Sequence, residues 1–102
     1  MYKIIAEIGS VHNGNLKLAK KIVKAAKFAG ADIVKFQMHI SEEETTKDAP
    51  SPNYFKKENR FDYFKRINFS YKEWVELKRF CIKNNIEFLC SPFSEKAVEI
   101  LE

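Results

Sequence analysis

Four polar side chains stand in or beside runs that are otherwise apolar. Glu7 interrupts Ile4-Ile5-Ala6-Glu7-Ile8, Lys35 interrupts Ile33-Val34-Lys35-Phe36, Gln37 follows two residues later, and Ser91 closes Phe88-Leu89-Cys90. A charge in a buried strand is costly unless it is paired or used. Glu7 and Lys35 are therefore either a structural ion pair, side chains at a solvated strand edge, or members of one reactive site. A lysine cation, a serine hydroxyl and the backbone N–H groups of a helix starting near Ser94 would together suit a phosphate. His12, Asn13 and His39 follow the same strand ends, so both histidines are placed to face one site.

Other chemistries find less support. No G-x-x-x-x-G-K-[ST] is present, and Gly9 and Gly14 do not make G-x-G-x-x-G, so neither a P-loop nor a dinucleotide fingerprint is expected. No Ser/His/Asp spacing is recognisable. Two histidines alone carry no metal-site signature, and no metal ligand is assigned within the chain. Cys81 and Cys90 do not form a C-x-x-C pair and read as buried reduced thiols, Cys90 as a small hydrophobe rather than a nucleophile. The aromatic stretch Tyr54 to Phe69 reads as packing for a long loop, or as a subunit contact.

The elements that must position these residues follow from periodicity. Lys3 to Ile8 is short and β-branched and predicts a strand ending at Gly9. Leu16, Ala19, Ile22, Val23, Ala26 and Ala29 recur at three- and four-residue steps, which predicts a helix with Asn13 or Asn15 as its cap and Gly30 at its end. Ala31 to Gln37 predicts a second strand. Residues 38–69 read as a long irregular loop, with an acidic cluster at Glu42, Glu43 and Glu44, a breaker at Pro50-Ser51-Pro52, and a short helix within Asn53 to Lys65. A loop of that length in a compact domain is usually functional or disordered.

Ser70 and Glu73 fit a capping box, and Trp74, Leu77, Phe80 and Cys81 continue it as a helix ending at Asn84-Asn85. Ile86 to Cys90 predicts a third strand, Ser91-Pro92-Phe93 a turn, and Ser94 onward a third helix. This β-α-β-loop-α-β-α order predicts an α/β fold with a parallel sheet. An open doubly wound sheet and part of a (β/α)8 barrel both fit. A whole barrel takes about 250 residues, so the chain would supply about three of its eight units. In either architecture ligands gather at the carboxyl ends of the strands, where Glu7, Lys35, Gln37 and Ser91 fall.

Composition bounds the partners. The 102 residues carry 18 Lys+Arg against 14 Asp+Glu, a net charge of +4, with 45% hydrophobic residues. Lys17, Lys20, Lys21, Lys24 and Lys27 lie at helical spacing and read as a solvated helix face, and no nucleic-acid reading motif accompanies them. A modest positive potential favours an anionic ligand. No apolar run approaches a membrane span and no signal-peptide pattern opens the chain, so no membrane and a cytoplasmic location are expected.

Ala6-Glu7-Ile8-Gly9 with His12-Asn13-Gly14, Gly30-Ala31-Asp32-Ile33-Val34-Lys35-Phe36-Gln37, and Ile86-Glu87-Phe88-Leu89 with Ser91-Pro92-Phe93-Ser94 together resemble the N-terminal part of the sialic acid synthases (N-acetylneuraminate synthase, NeuB type). The match runs through nearly the whole chain in order. The resemblance implies a partial (β/α)8 barrel, with residues 1–102 as its first three βα units. It implies a transferase of carbohydrate biosynthesis that condenses phosphoenolpyruvate with an N-acetylated aldose such as N-acetylmannosamine, giving a sialic or other nonulosonic acid and phosphate. Lys35 and Ser91 are then phosphoenolpyruvate contacts, Gln37 a sugar contact, and Glu7 a carboxylate near the aldehyde, with Glu7 and Lys35 the catalytic pair. A divalent metal, Mn or Mg, is implied as Lewis acid, with ligands outside this chain.

Val11 stands where the family usually has Asn, and Ser91 where Thr is common. The implied metal histidines and a C-terminal sugar-binding domain would lie beyond Glu102. The chain alone is therefore expected to be inactive. Self-association or a second polypeptide would complete the barrel. A non-catalytic module binding phosphate or phosphoenolpyruvate, or an interaction fragment docking on the rest of a barrel, is the alternative.

Overall fold

The computed structural model of the chain describes residues 2–44 and 59–102, so Pro50-Ser51-Pro52 and the expected helical stretch before Asn59 lie outside the described residues. Its elements are β1 (Ile5–Gly9), α1 (Leu16–Phe28), β2 (Ile33–Met38), α2 (Ser41–Glu44), α3 (Arg60–Ile67), α4 (Tyr71–Lys83), β3 (Glu87–Pro92) and α5 (Glu95–Leu101). The three strands form one parallel sheet in the order β1-β2-β3, with Glu7 beside Lys35, Lys35 beside Leu89, and Gln37 beside Ser91.

Local chemistry sets the boundaries. β1 stops at Gly9, whose φ of +56° lies in the left-handed region, and the β1–β2 register shifts between Glu7 and Gly9. The Asn15 side chain accepts the Leu18 N–H at 3.0 Å and caps α1, which settles the choice between Asn13 and Asn15. The capping box of α4 is present in both directions: Ser70 Oγ accepts from Glu73 N–H, and Glu73 accepts from Ser70 N–H at 2.9 Å. Among the described residues the expected loop contains two short helices. Asn59 caps α3, whose Phe61 and Ile67 are buried, and the Ser41 hydroxyl of α2 donates to the Phe61 carbonyl. β3 runs two residues past its expected end at Cys90, so Ser91 and Pro92 belong to the strand.

Among the described residues one face of the sheet packs and the other does not. Val34, Phe36 and Met38 alternate inward with Phe88 and Cys90, and meet Ala19 and Val23 of α1, Trp74, Leu77 and Cys81 of α4, and Ala97 of α5. Burying one such large apolar side chain contributes about 1.5–3 kcal/mol. Phe36, Phe69, Phe88 and Trp74 pack their rings together, with Phe69 and Trp74 edge to face at 5.0 Å between centroids. α1 and α4 lie side by side: Lys20 pairs with Glu76, and Lys27 Nζ donates to the Asn85 carbonyl at 2.9 Å. Helices that follow successive strands thus lie together on one side of a sheet whose order never reverses. This is single winding, the arrangement of a (β/α)8 barrel, rather than a doubly wound sheet with its reversal of strand order.

Candidate active site at the carboxyl edge

The alternation that sends Phe36 into the core sends Lys35 and Gln37 to the opposite face. On that face Lys35 Nζ lies 3.5 Å from Glu7 Oε2, across the β1–β2 ladder. Both side chains are partly open to solvent, so the pair is only weakly stabilising and both charges stay accessible to a ligand. One step toward the carboxyl edge, Gln37 and Ser91 stand in register on β2 and β3. Gly9 makes room beside them: a Cβ there would sit 3.5 Å from Gln37 Nε2 and 3.8 Å from Glu7 Oε1. The structure thus gathers Glu7, Lys35, Gln37 and Ser91 on one face of adjacent strands.

The histidines do not share that site. His12 is buried on the helix-covered side, stacked on Phe69 at 4.3 Å and close to Phe36. Its Nδ1 accepts the Gly14 N–H at 3.0 Å, while its Nε2 has no hydrogen-bond partner among the described residues. Burial among rings penalises the charged imidazolium and pushes its pKa down to about 4. The expectation that both histidines face one site is corrected by this packing, because His12 follows a turn that folds back onto the core. His39 keeps the parity of Gln37 and stays beside it, its Nε2 lying 3.0 Å from Gln37 Oε1.

The helix that was to offer its N–H groups begins at Glu95, and Ser94 Oγ already accepts the Ala97 N–H at 3.1 Å. Burial pushes the Cys81 thiol up to about 11 and the Cys90 thiol to about 12, which keeps both as protonated, unreactive packing groups. Among the described residues no three His, Cys, Asp or Glu side chains come together as a metal site. The described residues do not by themselves fit the implied cation. Among the same residues no helix is long and apolar enough to cross a membrane.

Glu44 was visible only as part of an acidic cluster. Here its carboxylate meets His39 Nδ1 at 2.9 Å. A five-residue separation spanning a strand end and a single helical turn has no periodic signature, so spacing alone does not reveal this pair.

Consecutive βα units wound one way, with polar groups collected at the carboxyl edge, define an α/β protein of the (β/α)8-barrel kind. The NeuB family model matches residues 22–102. The N,N'-diacetyllegionaminic acid synthase of Campylobacter jejuni is 37% identical over 103 residues, covering 96% of this chain and 31% of that protein. The N-acetylneuraminate-9-phosphate synthase of Homo sapiens is 35% identical, covering 96% of this chain and 28% of that one. A solved N-acetylneuraminic acid synthetase of Leptospira borgpetersenii, in complex with citrate, superposes with a TM-score of 0.75 at 32% identity, covering 96% of this chain and 31% of its own. The chain belongs to the NeuB family. It spans under a third of the length of these relatives.

Proposed function

We propose that this chain carries the phosphoenolpyruvate-facing part of a nonulosonic acid synthase site. The observation that carries the reading is the register of Glu7 with Lys35 and of Gln37 with Ser91 on the uncovered sheet face. The names of the relatives, acid sugar synthases in each case, support it. Lys35 holds the phosphate or carboxylate of phosphoenolpyruvate by charge, and the Ser91 hydroxyl donates to the same group. Gln37 meets the N-acetylated aldose. Glu7, an ionised carboxylate beside Lys35, faces the aldehyde as the C3 carbon of phosphoenolpyruvate bonds to the aldehyde carbon, and the alkoxide so formed takes a proton from water. Water then adds at C2, and phosphate leaves with the C2–O bond pair.

A divalent cation, when bound, would polarise the aldehyde, with its ligands supplied from outside this chain. Turnover needs more of the barrel than three units. A cytoplasmic location belongs to the same reading.

The test is a titration of the isotopically labelled 102-residue chain with phosphoenolpyruvate, followed by amide correlation NMR. Amides around Lys35 and Ser91 are expected to shift. Lys35→Ala is expected to abolish the response while changing stability by less than about 1 kcal/mol, because the ion pair it removes is solvated. A chain that keeps its full response without Lys35 sinks the assignment.

A further inference from the structure

The turn between β1 and α1 is clamped by an ionisable side chain that the proposed chemistry does not use. Asn13 and Gly14 both have positive φ, +58° and +78°. His12 Nδ1 accepts the Gly14 N–H, two residues on, at 3.0 Å. An Asn or Asp side chain makes the same bond in an Asx turn, and here an imidazole makes it. A backbone N–H only donates, so Nδ1 is bare and the ring is neutral. An imidazolium carries a hydrogen on both nitrogens and would set Nδ1–H against the Gly14 N–H.

The surroundings do not receive a cation. Among the described residues the ring packs on Phe36 of β2 and on Phe69 ahead of α4, both uncharged. The first turn of α1 holds no acidic residue, and Glu73 at the start of α4 is turned to the Ser70 N–H. Glu7 lies on the opposite sheet face with Lys35. α3 brings a cation, Arg66, onto the adjoining Asn13. Stacking on Phe69 would favour an imidazolium slightly, but burial outweighs it, as the pKa of about 4 shows.

The clamped turn holds α3. Arg66 Nη1 donates to Asn13 Oδ1 at 2.6 Å, and Gly14 sits against the Arg66 carbonyl and the Ile67 Cα. Further along α3, Phe64 stacks on His39, which stands beside Gln37. The buried Phe61 and Ile67 of α3 lie outside the core that Val34, Phe36, Trp74 and Leu77 share. α3 can therefore leave its place without dismantling that core.

We propose that His12 is an acid-released clamp: protonation of its ring breaks the bond to Gly14, frees the β1–α1 turn and loosens α3 from the carboxyl edge, while the sheet, α1 and α4 stay folded. The clamp stands on the turn and α3 alone. That it also controls the site rests on the reading of Lys35 and its neighbours given above.

The experiment follows the isotopically labelled 102-residue chain by NMR from neutral pH downward. The His12 ring is expected to titrate near 4, and the amides of residues 10–15 and of α3 to change with the same midpoint, while those of β2 and α4 hold. A ring that titrates with α3 unmoved overturns the proposal. So does a single collapse of all amides, at low pH or already at neutral pH. The His12→Asn side chain accepts the Gly14 N–H but does not titrate, so its turn and α3 are expected to ignore the change. A transition that persists there overturns the clamp. Where His12→Asn fails to fold, the coincidence of midpoints in the unaltered chain decides.

At a pH where α3 is loose, the phosphoenolpyruvate response at Lys35 is expected to be weaker in the unaltered chain than in His12→Asn. Equal responses support the clamp and overturn its control of the site. A response missing at neutral pH overturns the binding reading alone.

Discussion

At the scale of single residues, burial decides which polar groups are chemical and which are structural. His12 and His39 have equal claims in the sequence, each one short step past a strand end. His12 is packed against Phe69 and held neutral, its pKa pushed to about 4, against 6.5 for a free histidine. The unfolded chain therefore binds the proton first. The contribution of His12 to stability is complete above pH 6.5 and is lost progressively as pH falls toward 4, by on the order of 3 kcal/mol in all. Urea unfolding at pH 7 and pH 5 is expected to show this loss, and His12→Asn to flatten it. An equal slope in both chains would assign the acid sensitivity to other groups. That Lys35, Gln37 and Ser91 fall on adjacent strands was legible because a polar residue in an apolar run is conspicuous. The partnership of His39 with Glu44 was not legible, because it depends on how a strand end meets one turn of helix.

At the scale of elements, the helices flanked by strong caps were readable and the junctions were not. The Ser70-x-x-Glu73 pattern carries its own geometry, and both of its hydrogen bonds form. Ser70→Ala should lower stability by about 1 kcal/mol, seen as a lower urea midpoint with an unchanged slope. The docking of the first turn on α3 was invisible in the sequence, since it joins residues more than fifty positions apart. Arg66 Nη1 donates to Asn13 Oδ1 at 2.6 Å, and Gly14, at φ +78°, lies so close that a Cβ there would overlap the Arg66 carbonyl oxygen. Gly14→Ala combines left-handed strain with a backbone clash, for a cost of about 3 kcal/mol. A Gly14→Ala chain as stable as the original would mean that the turn and α3 separate freely. The third strand was read two residues short because Pro92 resembles a turn residue. A proline is tolerated at a strand terminus on the sheet edge, where β3 lies.

At the scale of the whole molecule, the alternation of strands and helices announced a parallel sheet, but the one-sided placement of the helices emerged only from their packing. Parallel sheets are normally covered on both faces. Here α1, α4 and α5 cover one face. The other carries the polar site together with Ile5 at 50% exposure and Leu89 at 43%. Among the described residues β1 and β3 each pair on one side only. A surface that joins apolar side chains to unpaired strand edges favours association. The weight-average mass of the 102-residue chain in sedimentation velocity is therefore expected to rise with concentration. Leu89→Lys should suppress that rise while moving stability by no more than about 0.5 kcal/mol, since the leucine side chain is already largely in water. Lysine at this position keeps the strand but opposes pairing through its charge. A chain that stays monomeric at every concentration would show that the polar site keeps this face solvated. A Leu89→Lys chain that associates as before would move the contact to the strand edges. Association lost with the single substitution would locate it on the sheet face that also bears Glu7, Lys35, Gln37 and Ser91, so that assembly and substrate binding would compete for one surface.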